Sequence, residues 1–344
     1  MSAWQNFQKR AQIFGVIFAL LHNLLLIFLI TEKSHKELGT YKNLIILVAI
    51  SECFYAVLEV TVRPVIHSFG FTFALIVNVE DSFLEYGVLK VLLAMYCAFF
   101  GSFLVIFSVQ FIYRYWAVSG NKHLKEFEGL RIFLWTLPSI FCGLIWWLVA
   151  YFPCAKRPST DEYLRDSVMK EFNLSIEENL YAAPYFYEVN TDGTTDIYYP
   201  SFISIILTTV LVNISVITVF YFGIKCYSSL REQGALVSQN TQKLQNQLFY
   251  SLVIQTVIPL FLMHFPVAAM YCFTFLEIDV GSLSGIVTVT LAIFPAIDPL
   301  PTLIMVKSYR TAIQFYIYLF FKTITKMLQP SQDNSIAMTQ TRAI

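Results

Sequence analysis

Seven long apolar runs follow one another along the chain. They cover residues 12–30, 43–62, 88–112, 131–151, 201–224, 248–275 and 284–306. A helix of about 20 apolar residues spans the hydrocarbon core of a bilayer. Backbone N–H and C=O groups cannot stay unpaired there, and these runs lack the alternation that a barrel strand needs. The pattern therefore predicts an all-α membrane protein, a seven-transmembrane helix bundle.

Two other apolar stretches do not fit a membrane span. Residues 65–79 are too few and too polar, but apolar residues alternate from Phe71 to Val79, which predicts a short strand or lid on the bundle. Residues 307–328 mix aromatic residues with basic ones, which predicts an interfacial helix after the seventh span. We therefore predict a membrane domain over residues 1–328 and a cytoplasmic tail over 329–344.

Composition supports a membrane protein. Hydrophobic residues make up 57% of the 344 residues and charged residues only 13%, whereas soluble domains have about 25% charged residues. The net charge is zero, so no basic field indicates nucleic acid as a partner. The first run is not followed by a small-residue cleavage site, so we expect an uncleaved anchor.

Basic residues are concentrated on one side of the predicted bundle. Residues 31–42, 113–131, 225–247 and 307–344 contain 15 Lys and Arg against six Asp and Glu, whereas the other side contains eight against fourteen. The positive-inside rule predicts an extracellular amino terminus and a cytoplasmic carboxyl terminus. Tryptophans at the outer end of the fourth run, among them Trp146, predict an aromatic belt at the membrane surface.

The longest connection, residues 152–200, is acidic and belongs to the predicted extracellular side. Its Asn173-Leu174-Ser175 sequon predicts glycosylation at Asn173. The six cysteines include no CxxC pair and give no metal signature. A disulfide between Cys97 and Cys154 is one alternative, and two free thiols are the other, because Cys97 lies well inside a predicted span.

Three carboxylic acids lie inside predicted spans: Glu52, Glu59 and Asp298. Intramembrane carboxylates usually face the bundle interior, so all three are functional candidates. Glu52 and Glu59 are two helical turns apart and share one face. Glu59 either lies in the bundle or extends outward beside Arg63. Glu52 either makes a structural hydrogen bond to a neighbouring helix or takes part in switching.

Prolines interrupt the last two predicted spans. Pro259 and Pro266 lie two turns apart in the sixth, and three prolines between residues 295 and 301 surround Asp298, with Pro299 beside it. Each proline lacks an N–H and leaves one carbonyl without its helical partner. We predict bends at these sites, either static kinks or moving hinges.

A ligand pocket is predicted in the outer half of the bundle, where helical spacing allows the third span to face the sixth. The predicted ligand-contacting residues are Glu59, Met95, Tyr96, Phe99, His264, Val267 and Tyr271. Plain helix packing is the alternative for any one of them. The sequence has no HExxH or GxSxG motif and no phosphate-binding glycine loop, so we expect no enzyme activity, no cofactor and no metal.

Short motifs along the whole chain complete the picture. They are Leu38-Gly39-Thr40-Tyr41-Lys42, Arg63-Pro64, Tyr96-Cys97-Ala98, Phe111-Ile112-Tyr113-Arg114-Tyr115, Asp161-Glu162-Tyr163, Pro184-Tyr185-Phe186-Tyr187, Gln255-Thr256-Val257-Ile258-Pro259, Asp298-Pro299-Leu300 and Lys307-Ser308-Tyr309-Arg310. Together they resemble nematode seven-transmembrane serpentine chemoreceptors of the Str class, which includes the diacetyl odorant receptor.

The resemblance implies a G-protein-coupled receptor for odorants or pheromones in the ciliary membrane of chemosensory neurons. By analogy, Arg114 and Tyr115 take the place of the acid-Arg-Tyr switch of better-known receptors. Tyr113 stands where that switch has an acid, so the lock of the inactive state must differ. Asp298 and Pro299 would take the place of an Asn-Pro switch, with residues 307–328 forming the helix after it.

We therefore expect a small molecule from outside to bind beneath the 152–200 connection. Its binding should favour a state in which the inner end of the sixth span moves outward. A heterotrimeric G protein would then bind the face that this movement opens. The predicted switch and coupling residues are Arg114, Tyr115, Pro259, Asp298, Pro299 and Arg310, with Arg231 and Lys243 as further coupling candidates. The alternatives are a ligand-gated channel or transporter, and a protein that only helps other receptors traffic. The sequence leaves the oligomeric state open.

Overall fold

A computed structural model describes residues 3–33, 38–189, 194–232 and 238–328, and these ranges contain seven helical segments long and apolar enough to cross a membrane. The helices are α1 (Ala3–Lys33), α2 (Tyr41–Val62), α3 (Tyr86–Ser119), α4 (Ile132–Tyr151), α5 (Pro158–Phe172), α6 (Tyr199–Glu232), α7 (Gln239–Pro259), α8 (Phe265–Phe275), α9 (Gly285–Ile297), α10 (Leu300–Met305) and α11 (Lys307–Leu328). The first four spans are α1 to α4, the fifth is α6, the sixth is α7 with α8, and the seventh is α9 with α10. The predicted seven-helix bundle is confirmed, and the predicted tail lies outside the described residues.

A small sheet covers one end of the bundle. Its strands β1 (Val65–Phe69), β2 (Thr72–Val77) and β3 (Leu180–Ala182) pair antiparallel in that order, and β4 (Tyr187–Val189) pairs with β5 (Thr195–Ile197) beside it. The alternation after residue 70 predicted such a strand. We call the three-stranded sheet, α5 and residues 183–187 the lid, and we name its end of the bundle the outer end, following the predicted orientation.

The turn of the first hairpin needs glycine. Gly70 has a φ of +47°, in the left-handed region that side chains rarely adopt, and an added Cβ would lie 2.1 Å from the hydroxyl oxygen of Tyr163. That hydroxyl accepts a hydrogen bond from the Phe71 amide at 3.2 Å. The turn is therefore fastened to α5 at the point where the hairpin reverses.

Polar contacts join α5 to the sheet. The Tyr181 hydroxyl donates to Asp161 at 2.7 Å, and the Arg165 guanidinium bonds the Glu177 carboxylate, which lowers the pKa of Glu177 to about 2. His67 Nε2 lies 2.6 Å from Ser167 Oγ, and burial lowers the pKa of His67 below its usual value. The lid is therefore a packed layer with its own hydrogen bonds and ion pairs.

Aromatic side chains fill the centre of the bundle. Tyr55 lies 5.0 Å from the Tyr96 ring and 5.7 Å from the Phe103 ring, measured between centroids, and Phe294 of the seventh span lies 5.2 Å from Phe103. All four side chains are buried. Because these rings come from α2, α3 and α9, they fix the relative positions of three spans.

The chain turns sharply after the seventh span. Val306 is extended, with ψ at 111°, and separates α10 from α11. Helix α11 exposes a row of large apolar side chains, among them Phe315, Phe320 and Phe321. An exposed aromatic face with basic residues suits the membrane surface, and that placement of α11 stays a prediction.

Candidate ligand site and switch

A cavity of about 420 Å³ lies between the third, fourth, fifth and sixth spans. We call it the outer cavity. Its walls are Phe100, Trp146, Thr208, Thr209, Val212, Asn213, Leu260, Phe261, His264, Phe265, Val267, Ala268 and Tyr271. None of these described residues carries a fixed charge, and the volume lies in the range typical of small-molecule sites. The cavity therefore suits an uncharged, mainly apolar molecule.

One wall of the outer cavity is a stack of three rings. The Phe100 ring lies 5.7 Å from Trp146 and 5.6 Å from His264, between centroids. Gly101 makes room for the indole, because an added Cβ there would lie 2.2 Å from Trp146 Cδ1. Trp146 thus lines the cavity, whereas the sequence predicted a place in the aromatic belt. Within the described chain, Trp146 Nε1 is buried without a hydrogen-bond partner, at the edge of the indole that faces Gly101.

His264 reaches the cavity from an irregular turn of the sixth span. Pro259 ends α7, and residues Leu260–His264 form a π-turn in which the Phe265 amide bonds the Leu260 carbonyl. The His264 Nδ1 atom lies 3.3 Å from the Pro259 carbonyl oxygen. A π-turn inserts one extra residue and shifts the helix face, and such turns often mark functional sites. The predicted bend at Pro259 thus takes this form.

The predicted pocket is only half assembled. His264, Val267 and Tyr271 share the outer cavity, as expected for one wall. Met95 and Phe99 instead line a separate groove between the second, third and fourth spans. Tyr96 is buried against Tyr55 of α2. The structure therefore does not bring the third-span candidates to the cavity, and Phe100 takes their place.

Glu59 lies inside the bundle. Its side chain is 1% exposed, and Gln12 Nε2 donates to its carboxylate at 3.0 Å and to the Pro64 carbonyl at 3.1 Å. The Tyr96 hydroxyl faces the same carboxyl group. Arg63 turns away and donates to the backbone of its own helix. The alternative in which Glu59 extends outward beside Arg63 is therefore excluded, and Glu59 joins three spans below the lid without lining the outer cavity.

A second pair of carboxyl groups lies deeper in the bundle. Glu52 and Asp298 are fully buried and face each other, and the Asn23 side chain lies beside Glu52. Two ionised carboxylates side by side in a membrane interior would repel strongly, so the pair is stable with at most one negative charge. The acids predicted to face the interior do so, and they join the second span to the seventh.

Side chains of the first span complete the broken ladder of the seventh. Pro299 has no N–H to offer the Pro295 carbonyl, and Asn23 Nδ2 donates to that carbonyl at 3.0 Å. One residue further, His22 Nδ1 lies 2.7 Å from the Ala296 carbonyl oxygen. The bend of the seventh span is therefore held by the first span.

The sixth and seventh spans are joined by a chain of hydrogen bonds. Gln255 Nε2 donates to Asp298 at 3.2 Å, and the Thr302 hydroxyl donates to Gln255 Oε1 at 2.9 Å. Ser251 Oγ lies 2.6 Å from Thr302 Oγ1. All four side chains are buried, so these bonds are shielded from competing water. Movement of the inner half of the sixth span would have to break this link.

Arg114 holds the inner end of the sixth span. Its side chain is 2% exposed, and Nη2 donates to the Gln245 carbonyl at 2.9 Å. The guanidinium lies 5.1 Å from the centre of the Tyr41 ring, and this ring stacks on Tyr113. The Tyr41 hydroxyl donates to Gln110 Oε1 at 3.1 Å. We call Arg114, Tyr41 and Gln245 the inner lock. Arg114 has no acidic neighbour at position 113, and the Gln245 carbonyl and the Tyr41 ring hold it instead. Because its side chain is buried by these contacts, Arg114 does not extend to the lipid phosphates.

The other predicted coupling residues lie around the inner lock. Tyr115 is half-buried, and its ring lies 5.8 Å from Phe222 of the fifth span. Arg310 donates to the Ile304 carbonyl at 3.1 Å, across the junction between α10 and α11. Arg231 is exposed near the inner end of α6, and Lys243 is exposed near the start of α7. Their part in coupling stays a prediction.

The lid contains the remaining candidates. Asn173 is exposed and ends α5 with a φ of +56°, which leaves its side-chain amide open to modification. Cys97 and Cys154 are free thiols that line the same small cavity beneath the sheet. Among the described residues, no group of three or more His, Cys, Asp or Glu could hold a metal ion.

Comparison with known proteins decides the family. Residues 8–314 match the model of the serpentine type 7TM GPCR chemoreceptor Str. The chain belongs to this receptor family. The receptor is 36% identical to the G-protein coupled receptor str-217 of Caenorhabditis elegans over 89% of both chains. It is 27% identical to serpentine receptor class r-10 of the same nematode, over 90% of this chain and 91% of that one.

The fold has a match among solved structures. Squid rhodopsin aligns with a TM-score of 0.58 and 14% sequence identity, over 98% of the receptor and 92% of rhodopsin. At this identity the likeness concerns the fold alone. The receptor is therefore a multi-pass membrane protein with a rhodopsin-like arrangement of helices.

Proposed function

We propose that this receptor binds an uncharged small odorant or pheromone in the outer cavity and signals through a heterotrimeric G protein at its inner end. One observation carries the proposal. His264 in the outer cavity and Gln245 in the inner lock lie on the same span, on opposite sides of Pro259 and the start of the π-turn. A ligand that moves His264 therefore acts on the helix that Arg114 holds.

The mechanism is a shift between two states. A ligand changes their populations only by binding one more tightly than the other, so its contacts with His264, Val267 and Tyr271 must differ between them. We propose that the open state lets the inner half of the sixth span turn about Pro259 and release the Arg114 bond. The face so uncovered, with Tyr115 at its edge, is the proposed G-protein surface.

The proposed setting follows the charge distribution and the family. We propose that the amino terminus is extracellular, the carboxyl terminus is cytoplasmic, and the receptor lies in the ciliary membrane of chemosensory neurons. Epitope tags at the two ends, probed on intact and permeabilised cells, test the orientation. Labelling of a carboxyl-terminal tag on intact cells would contradict it.

The proposal is tested by an Arg114→Ala variant in cells that carry a promiscuous G protein. A panel of volatile ketones, alcohols and esters is first screened on the wild type for second-messenger signals. Because the inner lock then no longer holds the closed state, we expect Arg114→Ala to show raised basal signalling and little further increase with ligand, at matched surface expression. Arg131→Ala is the matched control, because Arg131 is exposed and no role is assigned to it.

Two results would contradict the proposed function. One is an unchanged ligand response in Arg114→Ala, which would remove the inner lock from the mechanism. The other is the absence of any response to the panel from wild-type receptor whose surface expression has been verified.

A further inference from the structure

The outer cavity opens sideways, between the fifth and sixth spans. Near the outer end these spans meet at Phe202 and Phe275, whose ring centroids are 6.0 Å apart, and near the inner end at Tyr227 and Phe249, 6.4 Å apart. Between these contacts the cavity reaches the bundle surface at Thr209, which is exposed. We call this opening the side window.

The side window lies at the depth of the lipid chains. Thr209 and Asn213 follow the start of α6 at Tyr199 by about 10 and 14 residues, which is roughly 15–21 Å along the helix axis. The hydrocarbon core of a bilayer is about 30 Å thick. On the sixth span, Phe261 and Phe265 are 66% and 67% exposed at the rim of the same opening. Lipid, and not water, therefore surrounds the window.

The lid closes the direct path from the aqueous side. Tyr271, the outermost cavity residue of the sixth span, is covered by Phe73 at 4.8 Å and by Phe186 at 6.2 Å between ring centroids. Both covering side chains are buried. The Thr72 hydroxyl fastens the two lid segments together by donating to the Pro184 carbonyl at 2.9 Å. The lid therefore packs directly on Tyr271 at the outer end of the cavity.

From this geometry we infer that the ligand reaches the outer cavity through the lipid bilayer, by way of the side window. The ligand is an uncharged and mainly apolar molecule, because the described wall of the cavity carries no fixed charge. A charged ligand would meet no opposite charge there and would have to lose its hydration.

This inference rests on the proposed function in taking the outer cavity as the receptor's ligand site. It replaces the expected path beneath the lid. The competing occupant of a lipid-facing gap is an acyl chain. A second gap along the same seam serves for comparison: it lies nearer the inner end, is lined by Val216, Val219 and Phe220 among others, and is almost purely apolar.

The test uses the full receptor in lipid nanodiscs. The probe is an octan-2-one analogue that carries an aliphatic diazirine, with unlabelled octan-2-one as the competitor. After illumination, mass spectrometry maps the labelled peptides. We expect competitor-sensitive labelling within residues 208–213 and 260–271. Competitor-sensitive labelling confined to the lid would overturn the inference.

Two variants sharpen the result. Thr209→Trp blocks the window from an exposed position and should lower competitor-sensitive labelling by roughly tenfold, a free-energy change of about 1.4 kcal/mol. Val219→Trp, in the inner gap, should change it less than about twofold by the same scale. Size-exclusion profiles verify that each variant is folded.

Equal effects of Thr209→Trp and Val219→Trp would mean that the whole seam holds lipid, and would overturn the inference. The labelling requires no G protein. Correct labelling without any cellular signal would therefore refute the proposed function alone, and an Arg114-dependent signal with labelling on the lid would refute this inference alone.

Discussion

Replacing Tyr41 with leucine is expected to raise signalling in the absence of ligand. The Tyr41 ring is 2% exposed and lies 5.1 Å below the Arg114 guanidinium. A cation–π contact contributes about 0.5 to 2 kcal/mol, the upper value applying where water is excluded. Loss of the ring from the closed state should therefore raise the ratio of open to closed receptor by about 2- to 30-fold.

The assay is basal second-messenger accumulation, divided by the amount of receptor at the cell surface. Tyr41→Phe is the matched control, since it keeps the ring over Arg114 and loses only the hydroxyl that donates to Gln110. We expect basal signalling to rise in Tyr41→Leu well above that of Tyr41→Phe. Equal basal signalling in the two variants, at equal surface amounts, would show that the ring does not hold the closed state.

Three further predictions concern the cavity and the lid. Gly101→Ala would place a Cβ 2.2 Å from Trp146, an overpacking cost of about 1–3 kcal/mol, so the ligand concentration for half-maximal response should rise while basal signalling stays unchanged. Burial lowers the pKa of His67, so the stability of the lid is complete above the unfolded pKa of about 6.5 and is lost as pH falls toward the folded value. Hydrogen exchange of α5, corrected for intrinsic rates, should therefore rise between pH 7.5 and 5.5 in the wild type but not in His67→Gln. Asn173→Gln should abolish the gel shift caused by glycosidase, and an unchanged shift would exclude glycosylation there.

The spans and the lid strand could be predicted because each depends on the pattern of hydrophobic and polar residues within its own segment. The bilayer forces every long apolar run into a helix, whatever its neighbours are. Alternation from Phe71 to Val79 is a strand signal that needs no partner to be recognised, and the strand forms with its hairpin partner β1. These features depend on residues that are close in sequence.

The third-span wall of the cavity could not be predicted, because it depends on helix rotation. Helix α3 is apolar on nearly every side, so its sequence does not indicate which face points inward. Phe99 and Phe100 are indistinguishable in the sequence, yet only Phe100 lines the outer cavity. Pro259 indicated a bend, but the π-turn that rotates His264 inward depends on packing around it.

Contacts between residues that are far apart in the sequence could not be predicted either. The lack of an N–H at Pro299 indicates that the Pro295 carbonyl needs another donor, and this much follows from the sequence. That Asn23 supplies the donor follows only from the contact between the first and seventh spans. The same holds for Glu59, whose burial depends on Gln12 of the first span.

The free energy of the inner lock sets how much free energy ligand binding must supply to open the receptor. A hydrogen bond from a charged group contributes about 1.5–3 kcal/mol and the cation–π contact about 0.5–2 kcal/mol, so opening costs about 2–5 kcal/mol at the lock. A ligand offsets this only through a difference in affinity between the two states. At about 25 cal/mol per Å², that difference corresponds to roughly 80–200 Å² of apolar surface that is buried in the open state but not in the closed one. One aromatic side chain buries about that area. Rearrangement of a single ring at the π-turn, where Phe261 and Phe265 are still exposed, is therefore large enough to offset the inner lock, and the hydrogen bond from Gln255 to Asp298 adds its own cost to the opening.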